Sequence, residues 1–138
     1  MAAPQVNLIL AWLWLSLGFF SGLVLGLFFH REGWLGGYAS LQRRLYRLGH
    51  VSFFGLGFVN LAFYFTARTL TAATPLLAPA SGALVAGALL MPLCCVLMAH
   101  FPRTRLLFAV PVICLVLGGV LTTLMLLQQR APSTHSIL

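Results

Sequence analysis

Four long apolar runs, at residues 7–29, 50–68, 81–100 and 106–127, limit what this 138-residue chain can fold into. An α-helix needs roughly 20 such residues to cross a hydrocarbon layer about 30 Å thick. Each run approaches or exceeds that length, and the segments between them are too short to form a second domain. Apolar residues make up 61% of the chain and charged residues 7%. Soluble domains carry about a quarter charged residues, so a fold in water would have little polar surface to present. In lipid, every backbone N–H and C=O must be satisfied within the spanning segment, which selects helices for runs of this kind. The pattern predicts an all-α integral membrane protein with one membrane domain over 1–138 and a C-terminal tail at 128–138. The first run lacks a basic leading segment and a small-x-small site after it, so it reads as a span and not as a cleavable signal peptide.

The segments between the runs refine this picture. After the first run, Gly33, Gly36 and Gly37 interrupt the helix, and Trp34 and Tyr38 suit the headgroup level. From Ala39, Tyr38, Leu41, Leu45 and Leu48 share one helical face, with Gln42, Arg43, Arg44 and Arg47 around the others. That spacing predicts a short amphipathic helix lying in the membrane interface. The expected architecture is therefore an antiparallel four-transmembrane-helix bundle, with an interfacial helix between the first two spans.

All eight basic residues are arginine, Glu32 is the sole acid, and the net charge is +7. A basic balance can mark a nucleic-acid binder. Here the arginines fall in short segments between apolar runs, which excludes nucleic acid as a partner and points to topology and anionic lipid. Arg31, Arg43, Arg44, Arg47, Arg103 and Arg105 lie in the first and third loops, against Arg68 and Arg130 on the other side. The positive-inside rule then places these loops in the cytoplasm and both termini outside it, as in a bacterial inner membrane.

Several residues mark helix contacts. Gly18, Gly22 and Gly26 recur every four positions, and Gly118 with Thr122 repeats that spacing. Small residues on one face let a second helix approach closely. In the second run, His50, Gly57 and Tyr64 drift slowly around the helix at about 100° per residue, with Phe53 and Asn60 beside them. A polar stripe of this kind faces other helices or a cavity. Pro92 removes a backbone donor and should kink the third helix, freeing the carbonyl near Ala88.

The candidate chemistry is a histidine cluster. His30, His50 and His100 all fall at the ends of spans on the arginine-rich side. Neutral imidazoles can ligate a haem iron or a chlorophyll-type magnesium between facing helices. In that reading His50 and His100 are axial ligands, and Arg47 and Arg103 neutralise haem propionates. The competing reading is that histidine is simply tolerated at an interface. Cys94 and Cys95 point well away from His100 around their helix, so no separate metal site is expected, and Cys114 adds no disulfide framework. No titratable acid lies within a run, and Glu32 has no catalytic partner in the sequence, which points away from an enzyme.

Three functions follow. The chain is foremost expected to be a small non-enzymatic subunit, packing its small-residue faces against other membrane subunits or its own copies. A respiratory, photosynthetic or transport assembly would suit. Alternatively it is a haem b or pigment-binding bundle for electron transfer. A third option is a small oligomeric transporter using Asn60, Tyr64, Thr122 and Thr123.

Overall fold

A computed structural model describes residues 3–71 and 73–130. They form four long helices, α1 (Ala3–Phe28), α2 (Leu41–Thr69), α3 (Leu77–His100) and α4 (Ala109–Arg130), with 3-10 turns at Trp34–Gly36 and Pro102–Phe108. No strand occurs among the described residues. All four helices are long and apolar enough to cross a membrane. The former tail begins as helix, since α4 runs to Arg130; residues 131–138, with His135, lie outside the described residues.

Contacts give the order and direction of the helices. Asn7 meets Asn60 and Phe29 meets Arg43, so α1 and α2 run antiparallel. Tyr46 meets His100 on α2 and α3, and Gly118 meets Leu84 on α4 and α3, again antiparallel. Asn7 also meets Ser81, and Trp14 meets Ala88, so α1 lies parallel to α3. The α1, α2 and α3 helices pack mutually, whereas α4 packs mainly on α3. The arrangement is a three-helix unit with a fourth helix on its flank.

The separate interfacial helix is not formed. Residues 41–49 are instead the opening turns of α2, whose 29 residues make it about 43 Å long at 1.5 Å per residue. Ser40 caps it by accepting a hydrogen bond from Arg43 N. Gly49 lies within α2. It is a contact point where an added Cβ would sit 3.4 Å from Cys95 Cβ. The expected apolar face is also not the buried one, because Tyr38, Leu41 and Leu48 are exposed while Leu45 and Arg43 are buried.

Arg43 closes the first turn. Its Nη2 donates to Phe29 O at 2.7 Å, on the carbonyl-rich end of α1, where a cation is favoured by the helix dipole. Its guanidinium lies 4.0 Å from the Tyr38 ring centroid and packs against Phe29 and Trp34 as well. Aromatic faces stabilise a desolvated guanidinium, which offsets in part the cost of leaving Nη1 buried without an acceptor. The chain reverses through Leu35, Gly36 and Gly37, all at positive φ.

Polar contacts bind α1 into the groove between α2 and α3. Asn7 Nδ2 donates to Asn60 Oδ1 at 2.8 Å, Ser81 Oγ donates to Asn7 Oδ1, and Asn60 Nδ2 donates to Leu56 O at 2.9 Å. Further along, Trp14 Nε1 donates to Ala88 O at 3.1 Å. That carbonyl is the one Pro92, four residues on, cannot serve. An indole from another helix has replaced the missing backbone donor.

This exchange predicts a coupling. Trp14→Phe should lower stability by about 1–3 kcal/mol, because it strands the Ala88 carbonyl in an apolar interior. In a Pro92→Ala background, the new backbone N–H takes that carbonyl and the cost of Trp14→Phe should shrink. Denaturation of the four proteins in detergent reads the cycle; additive losses would show that Ala88 O does not need Trp14.

Candidate functional site

The small residues marked in the sequence are mostly spent inside the chain. An added Cβ on Gly18 would meet the Phe54 ring at 2.8 Å, and one on Gly22 would meet His50 Cε1 at 2.9 Å. At Gly57 it would come within 3.3 Å of Ala11 O and Leu15 Cγ. The α3–α4 contact is reciprocal: Leu115 fits over Gly87, and Leu84 fits over Gly118. Thr122 returns its hydroxyl to Gly118 O on its own helix. Gly26 differs, with nothing within 4 Å of an added Cβ.

The glycines bring α1 and α2 together, but the three-helix unit does not close at its arginine-rich end. A cavity of about 290 Å³ remains between α1, α2 and α3. Phe20, Ser21, Val24 and Leu25 line it from α1, Pro92 and Val96 from α3, and Leu45, Tyr46, Gly49, His50 and Phe53 from α2. Each set follows the helical repeat, so three ordinary helix faces form the walls. Gly49 and Pro92 carry no long side chain that would fill the space. Phe20, Val24 and Val96 are exposed, so the cleft opens sideways through an apolar mouth.

Two histidines are tied to hydroxyls near this cleft. His50 Nδ1 lies 2.9 Å from Ser21 Oγ, and its ring meets Phe54 edge-on with centroids 5.4 Å apart. His100 Nε2 lies 2.9 Å from Tyr46 OH, and the two rings are perpendicular. His50 lines the cleft; His100 is exposed and outside the lining, reached only through Tyr46. His30, Arg47 and Arg103 are exposed at the same end, and none of them lines the cleft. Among the described residues, no three of His, Cys, Asp and Glu come together as a metal site.

Of the four groups considered for transport, Asn60, Thr122 and Thr123 are satisfied locally, while Tyr64 meets the Phe65 ring. Asn60 is fully buried and bonded to Asn7 and Leu56 O. Thr122 and Thr123 bond back to Gly118 O and Gly119 O. The stripe His50, Phe53, Gly57 and Asn60 does face a neighbour, and that neighbour is chiefly α1.

Sequence reasoning passed over Ser21, Tyr46, Trp14, Asn7 and Ser81 as site or contact residues. Two signals were available. Tyr46 stands one turn before His50 on α2, and Ser21 sits beside Gly22 in a stripe that was already marked as a contact face. No family model, no curated protein and no solved structure matches this chain.

That geometry makes Gly22 a sensitive position. Gly22→Ala should push the His50 ring off Ser21, lowering stability by about 1–3 kcal/mol through overpacking. Gly26→Ala, which meets open space, should be neutral or stabilising, since alanine favours helix by up to ~1 kcal/mol. Denaturation in detergent, with the His50 ring resonances followed by NMR, compares them. Equal effects of the two substitutions would contradict the assigned contact.

Proposed function

We propose that the chain is a non-enzymatic integral membrane protein that binds a small lipid-phase molecule in the α1–α2–α3 cleft, with His50 reading its polar end. The observation that carries this reading is an open, mainly apolar cleft with a histidine and two hydroxyl-bearing residues in its lining. Gly57, Gly87 and Gly118 are covered by groups of the facing helices, whereas beside His50 about 290 Å³ stays open. Small-molecule sites are mostly apolar cavities of about 300–1,000 Å³ with a few placed polar groups. This cleft lies at the lower edge of that range and is hydrocarbon-lined apart from Ser21, Tyr46 and His50.

A haem or chlorophyll-type macrocycle is the larger version of such a ligand. It fits less well, because His100 does not face His50 across the cleft and the exposed Arg47 and Arg103 do not line it. His50 alone would serve as its axial ligand. The test is purification of the whole chain in mild detergent, followed by solvent extraction, mass spectrometry and an absorbance spectrum. Wild type should retain a small molecule near one per chain, and Val96→Trp, which plugs the mouth from an exposed position, should lose it. Identical extracts from both, matching bulk lipid, would overturn the reading. A Soret band lost in His50→Ala would select the macrocycle; a colourless preparation from a haem-replete host would remove it.

A second reading, a packing subunit of a larger membrane assembly or a homo-oligomer, keeps support from the outward glycines. Gly26, Gly55, Gly82 and Gly119 meet nothing within 4 Å, so another helix can approach there. Size exclusion of the same preparation addresses it, and a lone monomer with no co-purifying chain counts against it. In both readings six arginines at one end and two at the other orient the chain, with the cleft end cytoplasmic and the termini outside. A C-terminal reporter active only in the cytoplasm should be silent; strong activity would reverse the orientation.

A further inference from the structure

We infer that the occupant of this cleft is an anionic membrane phospholipid. One acyl chain lies between α1, α2 and α3, and the phosphate sits with the arginines beyond the ends of α1 and α3. The inference rests on the cleft being a ligand site and adds the ligand's class.

The lining asks for hydrocarbon. Apart from Ser21, Tyr46 and His50 it is apolar, and those three are already engaged within the protein. Ser21 Oγ meets Gly18 O and His50 Nδ1, and Tyr46 OH meets His100 Nε2, outside the lining. A charged or oxygen-rich group placed inside would lose its water without gaining partners, which burial penalises strongly. An alkyl chain loses nothing polar there and restores dispersion contacts that empty walls forgo. The shape agrees. On α2 the lining runs from Leu45 to Phe53, about 12 Å along the axis. A volume of about 290 Å³ drawn out over that length is a narrow space suited to one chain.

The mouth lies where such a chain begins. Val24 and Val96 are exposed on α1 and α3, two helices that run in parallel. α1 ends at Phe28 and α3 at His100, each four residues past its valine at the mouth, or about 6 Å. One leaflet holds about 15 Å of hydrocarbon beneath its headgroups, so a cleft about 12 Å deep falls within it. A phospholipid can slide one chain in sideways past Val24 and Val96. Its second chain and its headgroup then stay in the bilayer.

The charge above the mouth selects the headgroup. His30 and Arg31 follow the end of α1, Arg103 and Arg105 follow the end of α3, and all four are exposed. The Arg31 guanidinium stands 5.3 Å from the Phe28 ring centroid, which keeps it at the end of α1. Arg103 and Arg105 border an open hollow of about 400 Å³, which leaves room for a headgroup beside them. Glu32 is the only acid against eight arginines, so the counter-charge for this end comes from outside the protein. A phosphate at headgroup level supplies it, and guanidinium groups match its oxygens in pairs. Each arginine near an anionic membrane surface is worth about fivefold in binding.

The experiment titrates the full-length protein, in neutral detergent, with phosphatidylglycerol and with phosphatidylcholine of identical chains, read by native mass spectrometry. Wild type should form one saturable adduct, at least about fivefold tighter for phosphatidylglycerol. Arg31→Gln and Arg103→Gln should each cut that preference several-fold. Val96→Trp and Val24→Trp, which plug the mouth from its two sides, should abolish the saturable adduct of both lipids; circular dichroism confirms that each variant folds. Glycerol phosphate, a headgroup without chains, should not compete. Absence of a saturable adduct, equal affinity for the two lipids in wild type, an adduct that survives both tryptophan variants, or competition by glycerol phosphate overturns the phospholipid assignment. If a different extracted molecule is still lost in Val96→Trp, the cleft reading survives that failure; if extracts of wild type and Val96→Trp are identical, both fall.

Discussion

Pro92 has no N–H, so the carbonyl of Ala88 enters an apolar interior without its helical donor. In water that group would be hydrated at little cost; in a bilayer an unsatisfied backbone group costs several kcal/mol. The indole of Trp14 supplies the donor from α1, and this fixes α1 in both height and rotation against α3. Asn7 does the same nearer the other end, where its amide meets Asn60 on α2 and Ser81 on α3. Apolar contacts alone give little preference for one register over another when lipid tails are as apolar as leucine. Directional hydrogen bonds give α1 its register, and the glycine contacts with α2 follow from it. Gly57 lies on Ala11 and Leu15, Gly18 on Phe54, and Gly22 on His50.

The four spans were legible because length and apolarity act within each segment, independent of its neighbours. The freed carbonyl at Ala88 was legible for the same reason, since Pro92 dictates it locally. Its partner was not, because nothing near Trp14 in sequence shows that Ala88 lies opposite. The start of α2 was misjudged through the amphipathic spacing of residues 38–48 and the arginines. Gly49 lies inside the continuous α2, and its lack of a side chain admits Cys95. Arg43 looked like a solvated residue, yet a guanidinium can be buried when aromatic rings and a helix-end carbonyl receive it. That cage takes Phe29, Trp34 and Tyr38 from separate turns of the chain. Only the folded loop assembles it.

The meaning of the small residues also shifted. As a pattern, Gly18, Gly22, Gly57, Gly118 and Thr122 indicate that helices approach closely, and the pattern cannot tell an internal neighbour from a foreign one. The structure assigns these positions to contacts within the chain. They account for the bundle's own cohesion and so no longer favour a partner protein over a ligand. Only glycines with open space beside them retain that value.

The two ends of the three-helix unit then stand in contrast. At the Asn60 end, a fully buried polar group has its partners in the chain, and each amide nitrogen and oxygen of Asn7 and Asn60 makes at least one hydrogen bond. At the His50 end, Ser21 occupies one ring nitrogen and leaves the other without a partner, beside an open apolar space. Were both ends structural, the simpler solution at His50 would be a leucine or phenylalanine filling the gap, with the dispersion contacts that a void forfeits. Instead an imidazole is held by a hydroxyl, with Gly22 beneath it and the Phe54 ring edge-on to it. A histidine held in place beside an open cleft is the arrangement on which the proposed ligand site rests.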